Sequence, residues 1–315
     1  MSKYRDALLG VAIGDALGVP VEFRKREDIA QDPVLSMREY GVHGQPAGTW
    51  SDDSSLTFCL ADSLTRGFNC EDIGKSFVAW LYDRHWTPHG KVFDIGNTTR
   101  NAIDRIARKH PAESAGPKDE GAQGNGSLMR ILPLVFYIKD KPIEDRWDIT
   151  RRVSNITHGY INCAFSCFVY LEAARLILIY GKEKPVNFFL AETRDIVTRF
   201  IIQYHSHEQA LNKFHRILSP SFAELDVSSI RSTGYVIDTL EAAFWCFLNT
   251  DSYVDAVLRG VNLGEDTDTT GAVVGGLAGL YYGLDNVPKG WLDCLARRWD
   301  IEDLAERLEA KYGSK

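Results

Sequence analysis

Apolar residues recur at helical spacing along most of the chain, and no stretch alternates apolar and polar positions as a half-buried strand would. Ala7, Leu8, Val11, Ala12 and Ala16 predict a helix over 4–17, ending at Pro20. Gly10, Gly14 and Gly18 sit four apart on it. Glycine inside a helix costs about 1 kcal/mol relative to alanine, so this stripe points to a second helix, or a ligand, approaching very closely. Residues 24–50 are polar and glycine-dotted and are predicted as loop. Helical spacing resumes at Leu56, Cys59, Leu60 and Leu64, which places Ser51 to Ser54 at a helix N-terminus. Further helices are predicted over 73–82, 101–108, 149–157, 164–180, 188–204, 209–218, 234–248, 253–260 and 291–312. Residues 83–99 and 110–126 are predicted loops, the latter long enough to suggest a functional segment such as a lid. Residues 271–284 form an apolar, glycine-spaced run that has to be buried. With no repeat and no linker, the expected architecture is all-α, in one domain spanning 1–315.

Composition changes this picture little. The 315 residues are 44% hydrophobic and 25% charged, which is ordinary for a globular protein. A net charge of -7 provides no basic footprint and argues against non-specific nucleic-acid binding. The 271–284 run is too short and glycine-rich to span a bilayer. The six cysteines are scattered, with no Cys-x-x-Cys, and read as buried free thiols in a reducing compartment. The N-terminus has no signal-peptide layout, so the expected location is cytoplasmic.

The candidate chemistry lies in two acidic clusters. Gly264-Glu265-Asp266-Thr267-Asp268-Thr269-Thr270-Gly271 crowds acids and hydroxyls before the buried run, and Ser51-Asp52-Asp53-Ser54 does the same more than two hundred residues earlier. Acids at the start of a buried helix fit either of two roles. They cap the helix and complement its dipole, or they gather around a hard divalent cation. Spacing alone does not separate these readings. His158 is either a ligand contact or the end of a helix. His205-Ser206-His207 has no partner pair at zinc-ligand spacing. Val273 to Gly279 lacks Gly-x-Gly-x-x-Gly and a preceding strand, so it is not a dinucleotide loop.

Taken together and in order, five motifs resemble the ADP-ribosylglycohydrolase family, whose prototype is the dinitrogenase reductase-activating glycohydrolase. They are Gly14-Asp15-Ala16-Leu17-Gly18 through Glu22, Trp50-Ser51-Asp52-Asp53-Ser54, Gly124-Asn125-Gly126-Ser127-Leu128-Met129-Arg130, Thr157-His158-Gly159, and Gly264 to Thr269. They cover the chain from near residue 5 to about 285. The resemblance implies a compact orthogonal helical domain and a centre of two divalent metal ions, Mg²⁺ or Mn²⁺. It implies that Ser51, Asp52 and Asp53 hold one ion and Asp266, Asp268 and Thr269 the other, with Asp268 shared and Glu22 close by. Asn125, Gly126 and Ser127 would face the diphosphate and ribose, and His158 and Tyr235 would line the ADP-ribose cleft. Asp94, in Phe93-Asp94-Ile95-Gly96, resembles a further family acid near the leaving group. One departure is serine at 51 and 54, where the family often has threonine; a serine hydroxyl ligates equally well.

The implied reaction breaks the bond from C1 of the distal ribose, through a transition state with oxocarbenium character. Glu22 is the first choice for general base, with Asp94 holding or protonating the leaving group. The expected substrate is an ADP-ribosylated protein, most simply modified on arginine, with ADP-ribose as product and a monomer as the working unit. Other linkages (serine, O-acetyl-ADP-ribose, a nucleobase), a toxin-immunity role, a non-catalytic binder and a different two-metal hydrolase such as a phosphatase are the competing expectations. The intact set of acids weighs against the binder.

Overall fold

Two helices built largely from small residues lie against each other at the centre of the fold. They are α1 (Lys3–Gly18) and α12 (Thr267–Tyr282), and every residue from Asp6 to Gly18 and from Thr267 to Tyr281 is buried. The computed structural model describes residues 2–204 and 212–313. The remaining helices, in chain order, are α2 (Arg26–Gln31), α3 (Asp52–Arg66), α4 (Cys70–Asp83), α5 (Asn97–Ala107), α6 (Leu134–Ile138), α7 (Ile143–Ser154), α8 (Ile161–Tyr180), α9 (Val186–Tyr204), α10 (Val236–Leu248), α11 (Tyr253–Val261), α13 (Lys289–Cys294) and α14 (Arg298–Tyr312). No strand occurs among the described residues, only an isolated antiparallel bridge between Gly124 and Tyr235. The all-α expectation holds.

The glycine stripes explain the central contact. A Cβ on Gly14 would stand 2.0 Å from the carbonyl oxygen of Gly271, and one on Gly10 would stand 2.5 Å from that of Gly275. In return, a Cβ on Gly271, Gly275 or Gly279 would stand 2.3 Å from the carbonyl oxygens of Gly14, Gly10 and Asp6 respectively. The helices are therefore antiparallel and meet backbone to backbone. Helices close enough to exclude Cβ atoms gain dispersion contacts and weak Cα–H···O contacts along their whole length. Thr267 Oγ1 donates to Gly18 O at 2.8 Å and pins one end of the pair.

The other helices pack around this centre. α12 also packs on α10, α11 and α8, and α1 also packs on α3, α11 and α14. One hydrophobic cluster runs from Tyr4 to Leu308. The C-terminal segment belongs to it: Trp50 Nε1 donates to Ala296 O at 2.9 Å, beside the start of α3. Helix α8 is long and apolar enough to cross a membrane, but 78% of its apolar window is buried inside the protein, so it is a core helix. A buried bidentate pair, Arg146 with Glu172 at 2.6 and 2.7 Å, ties it to α7. All six cysteines are free, five of them buried.

Several expectations shift. Residues 24–50 contain helix α2, which has a single buried residue, Ile29, and therefore leaves no periodicity to read. It is held through Arg26, whose guanidinium donates to Leu263 O, Val227 O and Ile230 O at 2.8, 2.8 and 2.6 Å. Helices α5 and α7 begin at Asn97 and Ile143, earlier than expected, because their first turns are polar. The 110–126 segment is tied to the rest of the fold. Gly116 N–H donates to Asn155 O at 2.9 Å, Gly159 N–H donates to Pro117 O at 2.8 Å, and Ala112, Ala115 and Ala122 are buried. The 209–218 helix falls partly outside the described residues; residues 212–214 are helical and 215–218 form turns. His205-Ser206-His207 also lies outside them.

Gly14→Ala is expected to destabilise the protein by about 1–3 kcal/mol or more, although alanine favours a helix, because the new methyl group meets backbone that cannot rotate away. Gly290→Ala, where a Cβ meets nothing within 4 Å, serves as control and is expected within about 0.5 kcal/mol of the native protein. Urea unfolding of both variants checks the contrast.

Candidate active site

The α1–α12 contact places three chain segments around one cavity. Asp15 lies on the buried face of α1, one residue after Gly14. Its carboxylate accepts from Ser51 N–H at 2.9 and 3.1 Å, from Ser54 N–H at 3.0 Å and from Ser54 Oγ at 2.6 Å. These are donors at the N-terminus of α3, which have no partners within their own helix. Ser51 is the N-cap residue of α3, and its Oγ accepts from Asp53 N–H at 3.3 Å and donates to Asp53 Oδ2 at 3.1 Å. The capping of α3 is thus done by Ser51 and Asp15, which leaves Asp52 free of that duty. On α12, Asp266 sits at the N-cap position without a side-chain capping hydrogen bond. It accepts instead from Asn125 Nδ2 at 2.8 Å. The capping explanation of the acids therefore covers Ser51, not the aspartates as a group.

Asp53, Asp266 and Asp268 come together with Glu22. Thr269 Oγ1 lies 3.4 Å from Asp53 Oδ2 and joins the two clusters. Carboxylate oxygens of Glu22, Asp266 and Asp268 all lie within 4.8 Å of one another. A second group with the same spacing joins Glu22, His43 and Asp94. Burial pushes the carboxyls of Asp52, Asp53 and Asp268 well above the usual range, and the surrounding acids push them further. Burial likewise raises Asp266 and Asp94. Glu22 is pushed up to about 7, chiefly by burial, against the hydrogen bond from His43 that favours its charge.

No lysine or arginine forms an ion pair with any of these acids among the described residues. Asp53 Oδ1 and Asp268 Oδ2 are buried with no hydrogen-bond partner. An ionised oxygen in that position is unfavourable by several kcal/mol unless a cation meets it. Hard oxygen donors with unused lone pairs, on two segments that the contact of Thr269 with Asp53 brings together, suit a divalent metal. The residues present fit the ions that the sequence implies.

The cavity is about 400 Å³ and is lined by Glu22, Asp52, Asp53, Asp94, Asp266 and Thr269 on its acidic side. Asn125, Gly126 and His158 also line it, Asn125 in direct contact with Asp266. Asn125 is oriented by Asp266 and by Thr239 Oγ1, which lies 2.9 Å from its Nδ2. A Cβ on Gly126 would stand 2.6 Å from His158 Cε1, so this glycine makes room for the imidazole. His158 Nδ1 is 2.8 Å from Thr157 Oγ1. Burial, with Arg130 nearby, lowers His158 to about 3, which keeps the ring neutral. Arg130 is itself fully buried and donates to Gly126 O and Val153 O, bracing the Asn125–Ser127 turn.

Four expected site residues do not line the cavity. Ser51 is occupied at the α3 cap. Asp268 lies beneath the lining, beside Gly18. Ser127 Oγ faces the core, accepting from Ser154 Oγ at 3.0 Å. Tyr235 is the N-cap of α10, with its hydroxyl 3.5 Å from Gln123 Oε1.

Three residues at the site were not singled out from the sequence. Asp15, quoted in the first motif but given no role, carried a signal, an acid within the apolar run from Ala7 to Leu17. His43, bonded through Nε2 to the Glu22 carboxylate, and Phe23, at the cavity mouth, carried none.

Known proteins share this arrangement of chain and fold. The profile of the ADP-ribosylglycohydrolase family matches residues 1–315. ADP-ribosylarginine hydrolase Tri1 of Serratia proteamaculans (strain 568) is 33% identical over 310 residues, covering 98% of this chain and 79% of that protein. ADP-ribosyl-[dinitrogen reductase] glycohydrolase of Rhodospirillum rubrum is 31% identical, covering 94% and 91%. A solved structure described as an ADP-ribosylglycohydrolase-related protein complex superposes with a TM-score of 0.77 at 32% identity, over 99% of this chain and 98% of that one. The protein is a member of the ADP-ribosylglycohydrolase family.

Proposed function

We propose that this protein hydrolyses the bond between ADP-ribose and an arginine side chain of a modified protein, with two divalent metal ions, Mg²⁺ or Mn²⁺, held by its buried acids. The observation that carries this reading is the pair of orphaned carboxylate oxygens, Asp53 Oδ1 and Asp268 Oδ2, one in each acidic cluster. The arginine linkage is supported by the relative named an ADP-ribosylarginine hydrolase.

Asp52 and Asp53, with Ser51 behind them, would hold one ion, and Asp266 and Thr269 the other, with Asp268 between. Bound there, the ions would lower the pKa of a water and hold the ribose hydroxyls in place. The remaining work falls to protein groups. Glu22, pushed up to about 7, is suited to take a proton near neutral pH as general base. His43 orients its carboxylate. Asp94 lies in the same cavity and is placed to hold or protonate the departing group. Neutral His158 and the Asn125–Gly126 segment line the same cavity and would receive a ribose diphosphate there without a fixed positive charge. The whole of 1–315 acts as one unit in this reading, as a monomer.

With Mg²⁺ or Mn²⁺, the protein is expected to release ADP-ribose from a protein ADP-ribosylated on arginine. Glu22→Gln is expected to lower kcat by about 10²- to 10⁴-fold. Failure to release ADP-ribose from arginine with either metal ends the reading.

A second expectation concerns stability. The buried acids have folded-state pKa values above their unfolded ones. Their favourable contribution is therefore complete below about pH 4, the unfolded range, and is lost as pH rises through the raised values, to about 7 for Glu22. A bound cation reverses that loss. The gain in Tm from Mn²⁺ is expected to be larger at pH 7.5 than at pH 5, corresponding to about 2.7 kcal/mol at a hundred times Kd. It should vanish in Asp268→Asn. Equal gains at the two pH values would contradict the assignment.

A further inference from the structure

Phe23 stands where core packing would not put it. Its side chain is 66% exposed. Its backbone φ is 63°, in the left-handed region where a bulky residue is strained. Neighbouring backbone holds it there: Phe23 N–H donates to Glu265 O at 2.7 Å, and Glu265 N–H donates to Arg24 O at 2.8 Å. A phenyl ring kept in water by a strained, hydrogen-bonded backbone calls for an explanation outside the fold. It lines the mouth of the acidic cavity, next to Glu22 in sequence.

The ring is not alone. The His43 imidazole lies 6.0 Å from the Phe23 ring and 5.4 Å from the Phe93 ring, centre to centre. His43 is anchored by its bond to Glu22, and its loop by Val42 N–H donating to Pro20 O at 3.0 Å. Phe23 is the ring of the three that lines the cavity, with His43 and Phe93 behind it; Asp94, in the same lining, is also in the left-handed region, at φ 46°.

The outline of the cavity decides what meets them. Asn125, Gly126, Met129 and His158 are buried, whereas the exposed lining residues are Phe23, Gly96, Asn97 and Gly234. A leaving group that belongs to another folded protein has to lie at the exposed rim. Of the exposed rim residues only Phe23 offers an aromatic face, and the Asp94 carboxylate lines the same cavity. That combination suits a planar, delocalised cation, since guanidinium both stacks on aromatic rings and pairs with carboxylates.

We propose that Phe23, backed by His43 and Phe93, is a specificity-determining residue that stacks on the guanidino group of the arginine from which ADP-ribose is removed. This rests on the arginine reading given under Proposed function. The contact is present before and during bond cleavage, so its loss acts on KM more than on kcat.

The test compares native protein, Phe23→Ala and Phe23→Trp on an ADP-ribosylated arginine protein and on ADP-ribosyl-agmatine, with free ADP-ribose as a ligand that lacks the guanidino group. Phe23→Ala is expected to raise KM for both substrates by roughly 2- to 30-fold, with kcat nearly unchanged and the Kd for ADP-ribose unaltered. Phe23→Trp is expected to restore KM. An unchanged KM overturns the proposal. So does an equal weakening of ADP-ribose binding, which would make Phe23 a general cavity wall. A defect confined to the protein substrate also overturns it, since Phe23 would then be a docking contact. If the native protein releases nothing from either guanidino substrate, the arginine reading falls and this proposal falls with it. If native activity is present and Phe23→Ala matches it, only this proposal falls.

Discussion

The backbone contact between α1 and α12 is the constraint on which the rest of the structure depends. Six glycines, at 10, 14, 18, 271, 275 and 279, bring the two helices so close that backbone atoms of one occupy the space of missing side chains on the other. Each glycine gives up about 1 kcal/mol of helix propensity relative to alanine. The burial of both helices over nearly their full length offsets that loss. No larger residue would allow Asp268, at the start of α12, to lie against Gly18 at the end of α1. That approach fixes where Asp268 sits, behind the acids that line the cavity.

Asp15 carries the constraint outward. It lies on α1, beside Gly14, and accepts the free N–H groups of α3. α12 is thus fixed to α1 by glycines and α1 to α3 by a buried carboxylate, and the two acidic clusters meet at Asp53 and Thr269. This division of labour matters for the chemistry. Ser51 and Asp15 satisfy the α3 terminus, and Asn125 takes up one oxygen of Asp266. Unpaired capacity then remains on Asp53 and Asp268. A buried acid cluster lacking a lysine or arginine partner opposes folding at neutral pH, and it is tolerated here by a core that runs almost the length of the chain. Proteins commonly place such local conflicts at functional sites.

Much of this was legible along the chain. The all-α class followed from the 3.6-residue apolar period, and the close approach of α1 from glycines spaced four apart. Glu22, Asp52, Asp53, Asp94 and Asp266 were marked by motif and line one cavity. What escaped notice had no local signature. Helix α2 buries a single side chain. His43 sits in a polar stretch where a histidine is unremarkable until Glu22 is seen against it. Ser127 and Tyr235 shared motifs or neighbourhoods with cavity residues, yet Ser127 points into the core and Tyr235 sits at a helix N-cap position outside the cavity lining. A motif specifies spacing, not the direction of each side chain.

The sequence by itself determined the helical class, the buried character of the two glycine-rich helices and the identity of the acids. These follow from local periodicity and residue chemistry, which are properties of neighbouring positions. Only the tertiary structure decided which acids are capped and which are left with unpaired oxygens. It also decided that Asp15 is the strut between the clusters, and that Phe23 is held out at the cavity mouth. Those outcomes depend on contacts between segments far apart in the chain, from 36 positions for Asp15 and Ser51 to 216 for Asp53 and Thr269, and no pattern along the chain encodes them.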